Sequence, residues 1–89
     1  MKHTVTLILS SLISFNSYAN QELENAYWDC DYITTHQAVS LEEGATCGLI
    51  YEKLLQEKFK GSFKDFMTWW KANKETQHKL KKQNASKTL

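Results

Sequence analysis

The chain has 89 residues, near-balanced charge (formal +1) and 42% hydrophobic content, enough for one small domain and too little for two. All its side-chain cations except histidine are lysines, and the lack of arginine argues against a nucleic-acid reader, because arginine is the preferred partner of phosphates and base edges. No dinucleotide fingerprint, P-loop, H-E-x-x-H or C-x-x-C occurs, so the sequence offers no cofactor site, no metal site and no catalytic constellation, and an enzyme is not expected.

Residues 1–19 have the layout of a secretory leader. Met1-Lys2-His3 is basic, Val5 to Phe15 is an apolar run interrupted by serines, and Ser17-Tyr18-Ala19 ends in small residues. The apolar run falls short of the ~18 residues that spanning a bilayer needs. Cleavage after Ala19 is expected, with no transmembrane span in what remains, and the protein is expected in the periplasm or secreted. In such an oxidising compartment the two cysteines, Cys30 and Cys47, are expected to pair. A domain this small needs a staple, and closing a loop of this length contributes ~3 kcal/mol in the loop-entropy model.

The first helix is expected over residues 21–33. Leu23, Ala26, Tyr27, Cys30 and Ile33 fall on one stripe, while Trp28 and Tyr32 lie on another face, either as packing for the bridge or as an exposed aromatic patch. Residues 34–39, beginning with a β-branched pair, read as a connection. Ser40 and Glu43 form a capping box that starts a second helix over 40–59. Its expected inner side is Leu41, Ala45, Gly48, Leu55 and Phe59, flanked by Cys47, Ile50, Tyr51 and Leu54. Gly44 and Gly48 each cost about 0.8–1 kcal/mol of helix propensity relative to alanine. Their placement one turn apart around Cys47 predicts close passage of another backbone.

Gly61 fits a helix C-terminal cap and Ser62 the next N-cap, with Asp65 in the box position. A third helix is expected over 62–76, with Phe63, Phe66, Met67 and Trp70 on one face and Trp69 about 100° round. After Ala72 the apolar face nearly vanishes, and 83–89 reads as a flexible tail carrying a weak glycosylation sequon at Asn84. His36 and His78 have no partner at ligand spacing and read as surface residues. The fold class is therefore all-α: a helical hairpin plus a third helix, 20–82, stapled by one disulfide and followed by a disordered basic tail.

Charge is polarised along the chain. Residues 20–43 hold six acids and no lysine, and residues 71–89 hold six lysines against Glu75 alone. The lysine tail is suited at most to weak contact with an anionic surface. Trp28, Tyr32 and Trp69, aromatic side chains rimmed by charge, are the candidates for binding another protein, in the manner of an inhibitor, immunity factor or assembly accessory. An acid-responsive periplasmic chaperone is the alternative. The stretches Tyr27-Trp28-Asp29-Cys30-Asp31-Tyr32 and Phe63-Lys64-Asp65, followed by Trp70, resemble parts of the periplasmic acid-stress chaperones of the HdeA type. That resemblance covers about ten residues, and the span between the cysteines is far shorter than in that family.

Overall fold

In a computed structural model of the protein, residues 20–88 are described, with side chains through residue 85. The expected leader and its cleavage point lie outside the described residues. Three helices follow one another with short connections: α1 (residues 20–36), α2 (Leu41–Phe59) and α3 (Phe63–Thr88). The all-α, three-helix reading is correct, and Cys30 bonds to Cys47 with their Cα atoms 5.6 Å apart.

The boundaries follow from local hydrogen bonding. α1 runs three residues past its expected end because the β-branched pair does not break it. The Thr34 and Thr35 hydroxyls donate to the carbonyls of Cys30 (2.9 Å) and Asp31 (2.6 Å), one turn back. At the start of α2 the Ser40 hydroxyl accepts from the Glu43 N–H (3.1 Å), and the Ser40 N–H donates to the Glu43 carboxylate (2.9 Å). Hydrogen bonding of the Glu43 carboxylate to Ser40, first to its backbone N–H and then to its side chain, holds the carboxyl below its usual range. α2 ends in a left-handed turn through Lys60 (φ 53°) and Gly61 (φ 82°), whose N–H bonds back to the Leu55 carbonyl at 2.9 Å. Ser62 then caps α3, accepting from the Asp65 N–H at 3.1 Å.

The core is aromatic and compact. Tyr27, Trp28, Leu54 and Phe66 are buried, with Leu23, Ile50, Tyr51, Leu55, Phe59, Met67, Trp69 and Trp70 packed around them. Tyr27 meets Phe66 edge-to-face at 5.5 Å, Trp28 meets Trp69 at 5.0 Å, and Tyr51 and Phe59 meet Phe66 at 5.1 and 5.7 Å. Such tilted and T-shaped pairs satisfy the ring quadrupoles and add about 0.5–1.5 kcal/mol each beyond burial.

Two expectations about faces need correction. In α2 the expected inner side holds only at its C-terminal end, where Leu55 and Phe59 pack on the core; the flanking set joins them, with Leu54 buried and Ile50, Tyr51 and Cys47 partly so, whereas Leu41, Ala45 and Gly48 are exposed. The reason is that α1, tethered through Cys47, covers one side of α2 and leaves the opposite side uncovered. The glycines do not admit a neighbouring backbone within the chain. A Cβ on Gly44 would meet only Val39 Cγ2 at 3.9 Å, and one on Gly48 would meet nothing within 4 Å.

α3 also exceeds its expected end near residue 76. The stretch read as a tail is helical through Thr88, so 83–88 is a helix end rather than a disordered segment. Its 26 residues make a rod of roughly 39 Å. With almost no apolar face beyond Ala72, this half is held by polar contacts with α1. Among the described residues no helix is long and apolar enough to cross a membrane.

The core is small and the Cys30–Cys47 bridge constrains the unfolded chain, so Cys30→Ser, with Cys47→Ser to prevent intermolecular pairing, is expected to remove ~3 kcal/mol. For a domain of this size that corresponds to a fall in melting temperature of roughly 12–24 °C, enough to unfold it near 37 °C. A melt unchanged by the pair of substitutions would remove the bridge from this stability argument.

Candidate functional site

The three aromatic residues named as partner-binding candidates have different fates. Trp28 is 2% exposed and offers no surface to a partner. Its ring fills the space between α1 and α3, which explains why it lies off the stripe that faces α2. Trp69 is half-buried in the same cluster, touching Tyr27 (5.8 Å), Trp28 (5.0 Å) and Phe59 (5.3 Å). Tyr32 is half-buried and meets His36 in a tilted contact at 4.4 Å. No single aromatic patch unites the three.

The structure assembles something the sequence spacing does not show. His78 of α3 approaches Asp31 of α1, and its Nε2–H donates to the Asp31 carboxylate at 2.7 Å, both side chains being more than four-fifths covered. The other oxygen of Asp31 accepts from the Tyr27 hydroxyl at 3.3 Å. Tyr32 and His36 close the group, their rings 5.5 and 5.8 Å from the His78 ring. Three residues further along α3, Lys81 pairs at 2.7 Å with Asp29, two residues before Asp31 on α1. Two acids of the acidic N-terminal third thus meet two basic residues of α3. The sequence hid this because 47 positions separate Asp31 from His78, and only the turn at 60–62 brings α3 back along α1.

Burial is the main cause that pushes the Tyr27 phenol far above its ordinary value of 10.0, followed by the charge of Asp31 and the hydrogen bond to it. The phenol is therefore neutral in the fold. The stability this contributes is fully present below about pH 10 and is lost as pH rises through the elevated folded value.

The cluster clasps α3 to α1. Every carboxylate oxygen of Asp31 is used, and among the described residues no group of three or more His, Cys, Asp or Glu is placed to hold a metal ion. Beside it, α3 forms one wall of an open groove of about 470 Å³ lined by Trp70, Lys71, Lys74, Glu75 and His78, where the Lys74 ammonium rests 4.2 Å from the Trp70 ring.

The second unassigned feature lies on α2. Leu41 is 95% exposed and Leu49 72% exposed, with exposed Ala45 between them. Spaced by four residues, the three form one ridge on the side of α2 away from Cys47 and Leu54. Glu42, Glu52 and Lys53 border it and are exposed. A signal for it was present: the apolar residues of α2 spread over more of the helix circumference than one core can use, with Leu49 and Ile50 adjacent in sequence and opposite in fate. Compared with known protein families, curated proteins and solved structures, the chain matches none.

Asp31→Ala is expected to leave Tyr27 and His78 without their acceptor and to cost about 1–3 kcal/mol. Amide protection should fall first in α3 beyond Lys74, while the Leu54–Phe66 region keeps its own. Equal loss along the whole chain would show that the clasp does not specifically hold the end of α3.

Proposed function

We propose that the protein is a small exported, non-enzymatic interaction module whose docking face is the α2 ridge of Leu41, Ala45 and Leu49. The observation that carries this reading is the exposure of Leu41 and Leu49 on one side of a well-capped helix, at 95% and 72% well above Phe63 (58%), Leu80 (47%) and Ile33 (37%), the other exposed large apolar side chains among the described residues. An unpartnered apolar helix face rimmed by charge is the usual chemistry of helix-mediated recognition. The Cys30–Cys47 bridge supports export, because such bonds persist in oxidising compartments. Trp28, Tyr32 and Trp69 are not part of this docking face: Trp28 and Trp69 pack in the aromatic core, and Tyr32 lies against His36 and His78.

An acid-responsive chaperone is the second reading, and one observation favours it. The C-terminal half of α3 is held to α1 by Asp31–His78 and Asp29–Lys81. Protonating the two carboxylates would dissolve both contacts and uncover the aromatic core behind them. The Glu43 capping bond acts in the same direction: because its carboxyl lies low in the fold, its stabilisation is present above the ordinary carboxylate range and is lost as pH falls through the folded value.

A tagged chain recovered from native periplasm at neutral pH is expected to carry one saturable, stoichiometric protein. Leu41→Asp with Leu49→Asp should abolish that binding without shifting the melting temperature by more than the few degrees typical of surface changes. Binding undiminished by this pair of substitutions would move the docking face elsewhere. Many unrelated proteins recovered only at about pH 3, below the ordinary carboxylate range, would favour the chaperone reading instead.

A further inference from the structure

The α2 ridge is symmetric about its middle. Leu41 stands four residues before Ala45 and Leu49 four residues after, so the ridge reads the same from either end. Gly48 borders it, exposed and with open space where a Cβ would be. A glycine inside an exposed helix costs about 0.8–1 kcal/mol relative to alanine. Among the described residues nothing requires that cost, since no neighbour approaches; a second helix lying close against the ridge would.

Resting on the reading of the ridge as the docking face, we infer that its occupant is a second copy of this chain, with α2 packed antiparallel on its counterpart about a two-fold axis at Ala45. An isologous contact requires a self-complementary surface, and the spacing supplies one. Leu41 packs on the partner's Leu49, Leu49 on the partner's Leu41, and Ala45 meets its own mate at the axis. The small residues Ala45 at the axis and Gly48 beside it let the two backbones approach.

Charge suits the antiparallel arrangement. In the antiparallel pair Glu42 lies opposite the partner's Gly48. The partner's Lys53 falls on the same side of the seam, five residue rises or roughly 7.5 Å along the axis, within reach of a lysine stem. Lys53 is free to make that contact, since within the chain it has only a marginal, exposed approach of 4.0 Å to Glu57. Glu52 and Gln56, both exposed, bound the apolar seam to about two helical turns, which makes a weak, reversible dimer the expected result.

Sedimentation velocity on the full chain, expressed for export with its disulfide formed, tests this over about 10 µM to about 1 mM. The wild type is expected to pass from one to two chains' mass across that range. Ala45→Glu and Ala45→Lys place like charges across the axis on an exposed helical position, so each variant alone should stay monomeric, with a dissociation constant raised at least ~10-fold and an unchanged melt. Mixed in equal amounts, the two variants should dimerise. A wild type that is monomeric at every concentration overturns the inference, as does an Ala45→Glu chain that dimerises like the wild type, or a mixture that fails to pair. These failures differ from failure of the docking-face reading: a different protein bound saturably and lost with Leu41→Asp and Leu49→Asp would leave that reading intact and replace only the occupant.

Discussion

Cys30–Cys47 is the contact on which the rest of this small structure is arranged. It joins the middle of α1 to the N-terminal half of α2, with Cα atoms 5.6 Å apart, in the part of α2 that contributes least to the core. Between Leu41 and Leu49 the only side chain turned substantially inward is Cys47 itself. The hydrophobic cluster begins a turn later, with Ile50, Tyr51 and Leu54. Covalent tethering therefore does for the first half of α2 what packing does for the second. It allows a helix with an exposed apolar ridge to stay docked without burying that ridge.

From this tether the aromatic core follows. Holding α1 against α2 at Cys47 turns Tyr27 and Trp28 toward the slot that α3 fills with Phe66 and Trp69. The rings interlock at centroid distances of 5.0–5.9 Å. Past the aromatic stretch α3 has little apolar surface left, and its attachment changes in kind. Asp31 and Asp29 on α1 take His78 and Lys81, and the helix persists well beyond its last turn of hydrophobic residues. Bridge, aromatic slot and polar clasp thus succeed one another along the molecule, each holding a segment the others do not reach.

Much of this was legible in the residues. Ser40 with Glu43, Gly61 and Ser62 with Asp65 carry their structure in local hydrogen bonds, so short-range patterns located the ends of α2 and the start of α3. The cysteine pair allowed a single intramolecular connectivity. The inward face of α2 was not legible, because Leu41, Ala45, Leu55 and Phe59 share a side with the right period and only the position of α1 decides which part of it is covered. Trp28 was ambiguous for the same reason: it is off the stripe that meets α2 and on the one that meets α3. The His78–Asp31 contact joins positions 47 apart and has no periodic signature. The end of α3 was misjudged because helix length there depends on charges on another helix rather than on its own apolar pattern.

The tethered ridge is the feature on which function is proposed to rest, and amide hydrogen exchange of the bridged chain at dilutions that keep it monomeric tests it most directly. Residues 44–49 are expected to show protection comparable to that of 50–59, and to lose it selectively when the disulfide is reduced under conditions where the remaining core survives. Exchange of 44–49 at the rate of an unfolded chain with the bridge intact would mean that the ridge is not a preformed surface.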